Sequence, residues 1–185
     1  MFEIMTAEHV LILFLVGVLL SAAIHDRRSH RIPNLLTYPT MVVGLAVHGL
    51  TSGLDGLFFS AGGLALGIGI LILPYLMGMM GAGDAKLMGA VGAILGPGGV
   101  FVAFLFTCVA GGIYALILLT IRHEYGKESI RRCGMVLKTF IYTGQFVSIP
   151  ASEKKDGPKL PYGVAIALGT LVYVILQLWG YEFPV

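Results

Sequence analysis

Long apolar runs, separated by short polar or glycine-rich stretches, divide the chain into helix-length segments. A helix needs about 20 apolar residues to cross the hydrocarbon core of a bilayer. The pattern therefore predicts an all-α, polytopic membrane protein, a single domain over residues 1–185, with about six transmembrane helices at 8–25, 35–52, 56–77, 85–96, 99–121 and 161–181. The fourth segment is too short to cross alone, unless its polar start lies in a hydrated pocket lined by protein.

Composition agrees with this interpretation. The chain is 57% hydrophobic and 12% charged, whereas an ordinary soluble domain is about 25% charged. The first apolar run, 9–24, has Glu3 and Glu8 before it where a signal peptide would have basic residues. We interpret it as a retained helix with its N-terminus outside. The two cysteines, Cys108 and Cys133, form no C-x-x-C pair, so we expect neither a zinc ribbon nor a redox motif.

The charges give the helices an orientation. If six helices run from N-out to C-out, all 12 Lys and Arg residues fall on one side, which the positive-inside rule makes the cytoplasm. On that side, residues 122–160 contain apolar positions at helical spacing from Ile130 to Ile141. We expect this cytoplasmic loop to carry an amphipathic helix lying on the lipid headgroups. The net charge of +2 is small and by itself says little about partners. We expect the membrane lipid and a substrate protein as partners, and no nucleic acid.

Two carboxylates stand at the cytoplasmic boundary of the predicted bundle. Asp26 lies in SAAIHDRRSHRIPN at the end of the first helix, and Asp84 lies in GAGDAK before the fourth. An ionisable residue at membrane depth is costly and suggests a function. Two structural alternatives remain open: Asp26 paired with a neighbouring arginine, and Asp84 as a helix N-cap. Capping alone does not require glycine at 81 and 83, which would give a substrate strand room to approach.

A pair of acids in a partly dry pocket can hydrolyse an amide. Such carboxylates share one proton, because both cannot ionise easily. One accepts a proton from water while the other donates to the carbonyl oxygen, without metal, cofactor or covalent intermediate. Neither a Ser–His–Asp arrangement nor an H-E-x-x-H motif occurs in the chain.

Three motifs resemble those of the type IV prepilin peptidases, a family of intramembrane aspartic proteases. Residues 81–86, GAGDAK, match the G-x-G-D-x-K motif of that family. HDRRSHRIPN at 25–34 resembles its Asp followed by Ile-Pro-Asn, and LPYGVAIALG at 160–169 resembles its Pro-(Phe/Tyr)-Gly element. The three occur in family order.

The resemblance implies a specific activity. Members of the family remove the short basic leader of type IV prepilins and pseudopilins, after a Gly, at the cytoplasmic face of the prokaryotic inner membrane. By position, Asp26 and Asp84 would be the catalytic pair. The first helix leads directly into Asp26 without the cysteine-bearing insert of bifunctional members. This favours the compact, protease-only branch that serves Flp (tight-adherence) pili, and we expect no N-methyltransferase activity.

Other motif residues would support the acids or bind substrate. Gly81, Gly83 and Lys86 form the supporting set, and Lys86 either stabilises charge at the site or extends to the headgroups. The candidate substrate-binding residues share a position at a predicted helix start, which helix initiation alone would also explain; they are Pro33, Asn34, Pro161, Tyr162 and Gly163. No metal site is expected.

Two rival functions fit an apolar chain with two acids. A small proton-coupled transporter would use Asp26 and Asp84 as a proton relay. A non-enzymatic assembly protein of a pilus or secretion system would use the glycine motif only for packing.

Overall fold

Helices make up every secondary-structure element of the part of the chain that the structure, a computed structural model, describes: residues 2–77, 80–121, 162–181 and 183. In chain order they are α1 (Phe2–Ser29), α2 (Asn34–Leu76), α3 (Ala82–Ile121) and α4 (Tyr162–Leu178). The predicted all-α class is confirmed for these residues. The predicted loop helix within 122–160, and Pro161, lie outside them.

Two glycines interrupt the long helices where the sequence predicts segment boundaries. Gly53 in α2 has a φ of 62° and Gly96 in α3 has a φ of 73°. A side chain with a Cβ rarely adopts this region, so glycine is the residue that tolerates it. Each glycine divides its helix into two arms, 34–52 and 54–76 in α2 and 82–95 and 97–121 in α3.

Contacts with the first arm of α3 show that α2 reverses its direction at Gly53. Along the first arm of α2, Asn34 contacts Lys86 and His48 contacts Ile94, so this arm runs parallel to α3. Along the second arm, Gly63 packs on Gly92 and Gly67 packs on Met88, which is the antiparallel order. At Gly63 and Gly92 the two backbones leave no room for a side chain. The arms of α2 therefore form a hairpin around the first arm of α3.

Polar side chains of α2 complete the hydrogen bonding of α3 at its break. The carbonyl of Ala93 would accept from the N–H of residue 97, but residue 97 is a proline without that donor. Ser60 Oγ donates to Ala93 O instead, at 2.6 Å. His48 Nε2 lies 3.0 Å from the carbonyl of Ile94. In lipid, a backbone carbonyl without a partner is costly, so these two side chains stabilise the break.

The second arm of α3 returns along α4. Gly169 packs on Thr107, and a Cβ at Gly111 would lie 3.8 Å from that of Ala165, which is antiparallel order. Helix α1 packs mainly on α4. The N-terminus of α3, the N-terminus of α4 and the C-terminus of α1 consequently meet at one end of the bundle, called here the carboxylate end. The breaks at Gly53 and Gly96 lie at the other, the turn end.

Length and hydropathy mark three stretches in the described helices as able to cross a membrane: His9–Ser29, Asn34–Leu76 and Ala82–Ile117. Helix α4 is apolar but shorter. These helices indicate a membrane protein. The first helix is longer than the predicted 8–25, and α3 begins before the predicted residue 85, at Ala82. The count of six crossings stays a prediction.

Candidate active site

Asp26 lies in the last turn of α1 and not beyond it, because the helix continues to Ser29. The N–H of His30 donates to the carbonyl of Asp26 at 2.8 Å, and His30 turns the chain with a φ of 49°. The side chain of Asp26 is 5% exposed. Its Oδ2 accepts a hydrogen bond of 2.8 Å from the N–H of Gly163, the second residue of α4. The start of α4 thus holds the carboxylate through its backbone, with the N–H of Val164 next to that of Gly163.

Asp84 occupies the first turn of α3. Its Oδ2 accepts a hydrogen bond of 3.0 Å from the N–H of Gly81, and its own N–H donates to the carbonyl of Gly81 at 3.1 Å. Gly81 is therefore the residue at the cap position, and the carboxylate reaches back to it as the acid of a capping box does. This exchange explains why the helix begins at Ala82, before the predicted start. The side chain of Asp84 is 8% exposed.

The two carboxylates come close enough to interact electrostatically. Both use Oδ2 for the bond to a backbone amide. The Asp26 carboxylate also interacts with the backbone N–H of Val164. Neither Oδ1 is buried without a hydrogen-bond partner, since Thr170 Oγ1 is the one such atom among the described residues.

Of the two structural alternatives raised by the sequence, pairing with an arginine does not describe Asp26, whereas helix capping does describe part of the role of Asp84. Asp26 is buried against Gly163, while the side chains of Arg27 and Arg28 are exposed. Asp84 caps its helix from the third helical position and not as the N-cap residue. The space beside Gly83 is taken by Ile32 of the α1–α2 loop, whose Cβ would lie 3.2 Å from a Cβ at Gly83. This close approach accounts for Gly83 without a substrate strand.

The side chain of Lys86 contacts α2. Its Nζ donates to Oδ1 of Asn34 at 3.0 Å and lies 5.0 Å from the centre of the Tyr38 ring. Asn34 is the first residue of α2, and Pro33 precedes it in an extended conformation, with a φ of −62° and a ψ of 135°. Asn34 and Pro33 therefore start α2, as expected of them, and Asn34 also joins α2 to α3.

The start of α4 faces both acids. Tyr162 is half-buried and near enough to Asp84 for an electrostatic interaction. Gly163 is buried, and a Cβ there would lie 2.9 Å from Oδ2 of Asp26. The candidate substrate-binding Gly163 thus contacts a carboxylate directly.

Sequence reasoning missed three parts of this site: the amide of Gly163 as the partner of Asp26, the contact of Ile32 with Gly83, and Tyr38. A signal existed for two of them. The first N–H groups of a helix have no partner within it, so a helix start at 161–163 offers donors to a carboxylate. Tyr38 follows Asn34 by one helical turn and shares its face.

Elsewhere in the part of the chain that the structure describes, there is no further buried carboxylate. A cavity of about 490 Å³ lies at the turn end, next to Gly99, Tyr173 and Gln177, and none of the predicted site residues lines it. Within the described residues, no three side chains of His, Cys, Asp or Glu come together as metal ligands would.

Comparison with known proteins confirms the family that the sequence motifs predict. The model of the type IV leader peptidase family matches residues 13–116, more than half of the chain. The match includes Asp26, Asp84 and Lys86 but not the start of α4. No curated protein and no solved structure matched the chain.

Proposed function

The chain belongs to the type IV leader peptidase family, and from this premise we propose that it is an intramembrane aspartic endopeptidase whose catalytic pair is Asp26 and Asp84. The observation that carries the proposal is the meeting of these two buried carboxylates, from α1 and α3, at one end of the bundle. Family membership supports a protease, and the pair supplies the chemistry that a protease needs.

The mechanism follows from the state of the two acids. Like charges held together in a pocket of low polarity favour a shared proton over two ionised groups. The ionised carboxylate takes a proton from a water molecule as that water attacks the scissile carbonyl carbon. The protonated carboxylic acid donates its proton to the carbonyl oxygen. When the resulting gem-diol collapses, the acid that took the proton from water donates it to the leaving nitrogen, the other acid takes a hydroxyl proton back, and the C–N bond breaks. Because the backbone amides of Gly163 and Gly81 hold Oδ2 of each acid, Oδ1 is the oxygen that we assign to proton transfer.

The charges around the site support an active site at the cytoplasmic face. Arg27, Arg28, Arg31 and Lys86 lie at the carboxylate end, whereas Asp55 lies beside the break at Gly53. By the positive-inside rule, we expect the carboxylate end to face the cytoplasm. Helix arms separated at Gly53 and Gly96 support the prediction of six crossings with both termini outside.

We propose type IV prepilins or pseudopilins as substrates, cut after a Gly between a short basic leader and the hydrophobic helix. A helix encloses its amides in hydrogen bonds, so the scissile bond must become extended before water can attack it. Helix α1 runs without interruption from Phe2 into the turn that carries Asp26. This continuity supports the compact, protease-only branch that serves Flp pili.

A cleavage assay tests the proposal. The purified chain is reconstituted in liposomes with a prepilin-like substrate, and mass spectrometry identifies the new N-terminus. We expect cleavage after the Gly, and a bell-shaped dependence of kcat/KM on pH because one acid must be ionised and the other protonated. A substrate with the Gly replaced is the control. Absence of cleavage by the folded chain, or equal cleavage of both substrates, would contradict the proposal.

The same liposomes test the transporter alternative. A relay across the bundle needs further ionisable groups between its two ends. Among the side chains that the structure describes, Asp26 and Asp84 are the buried carboxylates, and both lie at one end. We therefore expect no proton flux above that of empty liposomes under an imposed pH gradient.

A further inference from the structure

We propose that Lys86, Asn34 and Tyr38 form a clamp that positions Asp84 relative to Asp26, with Tyr38 as a positioning residue outside the three sequence motifs. The inference rests on the proposed function, because it assigns these residues a role in placing the catalytic pair. Its geometry is that of one cation held between an amide oxygen and an aromatic ring.

The position of Lys86 is the first reason. Lys86 is the fifth residue of α3, two residues after Asp84, and its side chain is only partly exposed. Partial burial of an ammonium group costs solvation, which other interactions must offset. The Asn34 amide oxygen at 3.0 Å and the Tyr38 ring at 5.0 Å provide the compensating interactions.

The second reason is that α3 is held on both sides of Asp84. The clamp contacts α3 at position 86, and the loop before α2 contacts it at position 83. Asn34 and Tyr38 are one turn apart on α2, so both reach the same point on α3. On the other side of Asp84, Ile32 packs on Gly83. The start of α3 is therefore fixed to the start of α2 at positions 83 and 86, which flank Asp84. Because Ile32 belongs to the loop that follows α1, this attachment also sets the distance to Asp26.

Charge removal and ring removal should then have the same consequence. A misplacement of about 1 Å in an active site can lower the rate about 100-fold. We expect Lys86→Met and Tyr38→Leu each to lower kcat by roughly 10- to 100-fold, with little change in KM. The kcat of the double variant should be no lower than that of the less active single variant, because both changes open the same clamp.

Conservative variants separate this role from a direct effect of the lysine charge on Asp84. Lys86→Arg and Tyr38→Phe retain the cation and the ring, and should restore most of the activity. If Lys86 acted on Asp84 directly, Lys86→Met would move a limb of the pH–rate profile and Tyr38→Leu would not. The clamp predicts that both variants leave the two limbs in place.

A matched control tests for a general effect of losing an exposed aromatic residue. Tyr75 on α2 is 43% exposed and Tyr38 is 50% exposed, and the ring that Lys86 contacts is that of Tyr38. Tyr75→Leu should keep the activity of the parent protein. Equal activity of Tyr38→Leu and Tyr75→Leu, or a shifted pH limb in Lys86→Met, would overturn the clamp.

A distance measurement tests the clamp without any substrate. Spin labels are placed through Leu35→Cys and Ala82→Cys, both at exposed positions, in a background with Cys108→Ala and Cys133→Ser. The distribution of distances between the labels should be narrow in this background and broader after Lys86→Met or Tyr38→Leu. An unchanged distribution overturns the clamp even if the protease proposal stands. A broadened distribution in a chain that cleaves nothing supports the clamp and contradicts only the protease proposal.

Discussion

The two ends of the bundle use polar side chains in opposite ways. At the turn end, Ser60 hydrogen-bonds to the carbonyl of Ala93, whose usual donor is replaced by Pro97, and His48 to the neighbouring carbonyl of Ile94. At the carboxylate end, Oδ2 of Asp26 accepts from the N–H of Gly163 and Oδ2 of Asp84 from that of Gly81, and a carboxylate has about four acceptor sites in all. The comparison teaches that burial of a polar group is not enough to indicate function. The informative feature is the hydrogen-bonding capacity that remains after the backbone is satisfied.

The largest effect on activity is expected when an ionisable group is removed from the carboxylate end. Asp26→Asn and Asp84→Asn keep the shape of the side chain but remove the ionisable group. General acid–base catalysis contributes about 10²–10⁴-fold, so each variant should lose at least that factor in kcat/KM. The measurement is leader removal in liposomes, with thermal unfolding as the test of folding. A folded Asn variant that still cleaves at a substantial rate would remove that residue from the catalytic pair.

A smaller loss is expected when the acid remains but its support is disturbed. In Gly163→Ala, the new Cβ would lie 2.9 Å from Oδ2 of Asp26 and 3.1 Å from its Cβ, so the carboxylate must move. We expect a loss of roughly 100-fold in kcat. Gly111→Ala is the matched control, because its Cβ would meet that of Ala165 at an ordinary 3.8 Å. Similar activities of the two variants would show that the amide of Gly163 does not position Asp26.

Gly83→Ala tests the contact between the start of α3 and the α1–α2 loop, for comparison with Gly163→Ala. Its Cβ would lie 3.2 Å from the side chain of Ile32 and 3.5 Å from its backbone nitrogen, and not against a carboxylate. The loop can yield by a small shift, so we expect a loss of less than about tenfold in kcat. Kinetics on the same substrate compare it with Gly163→Ala. A loss as large as that of Gly163→Ala would mean that the loop, and not the amide of α4, dominates the placement of the acids.

The smallest effect on activity is expected at the turn end. Ser60→Ala leaves the carbonyl of Ala93 without a donor, which should lower the free energy of unfolding by about 0.5–2 kcal/mol. Activity per folded molecule should not change, because Ser60 lies at the end away from the acids. Reversible unfolding in mixed micelles measures the first effect. Thr51→Ala, at an exposed residue that bonds only within its own helix, is the control.

Local sequence features were sufficient to predict most helix limits. The length of the apolar runs predicted the segments. The break at Gly53 lies in the gap between 35–52 and 56–77. The break at Gly96 lies beside the gap between 85–96 and 99–121. The start of α3 was placed too late, because the exchange of hydrogen bonds between Gly81 and Asp84 extends the helix backwards. A hydropathy pattern contains no information on such a cap.

For the site, the sequence could identify the acids but not their supports. Asp26 and Asp84 stand out because a charge in an apolar chain is rare and costly. The bond from Gly163 to Asp26 joins α4 to α1, and the bond from Lys86 to Asn34 joins α3 to α2. Such partners depend on how the helices pack, so Lys86 could be assigned either to Asp84 or to the headgroups until that packing was known.

The proline at position 97 also has a consequence for biogenesis. A ribosome delivers α2 to the membrane before α3, so Ser60 and His48 are already inserted when the carbonyls of Ala93 and Ile94 leave the translocon. The hairpin of α2 can then receive the broken helix at once, and its exposed carbonyls need not wait in lipid. In a circular permutant that synthesised α3 first, those carbonyls would enter the bilayer before their donors, and the yield of inserted protein should fall.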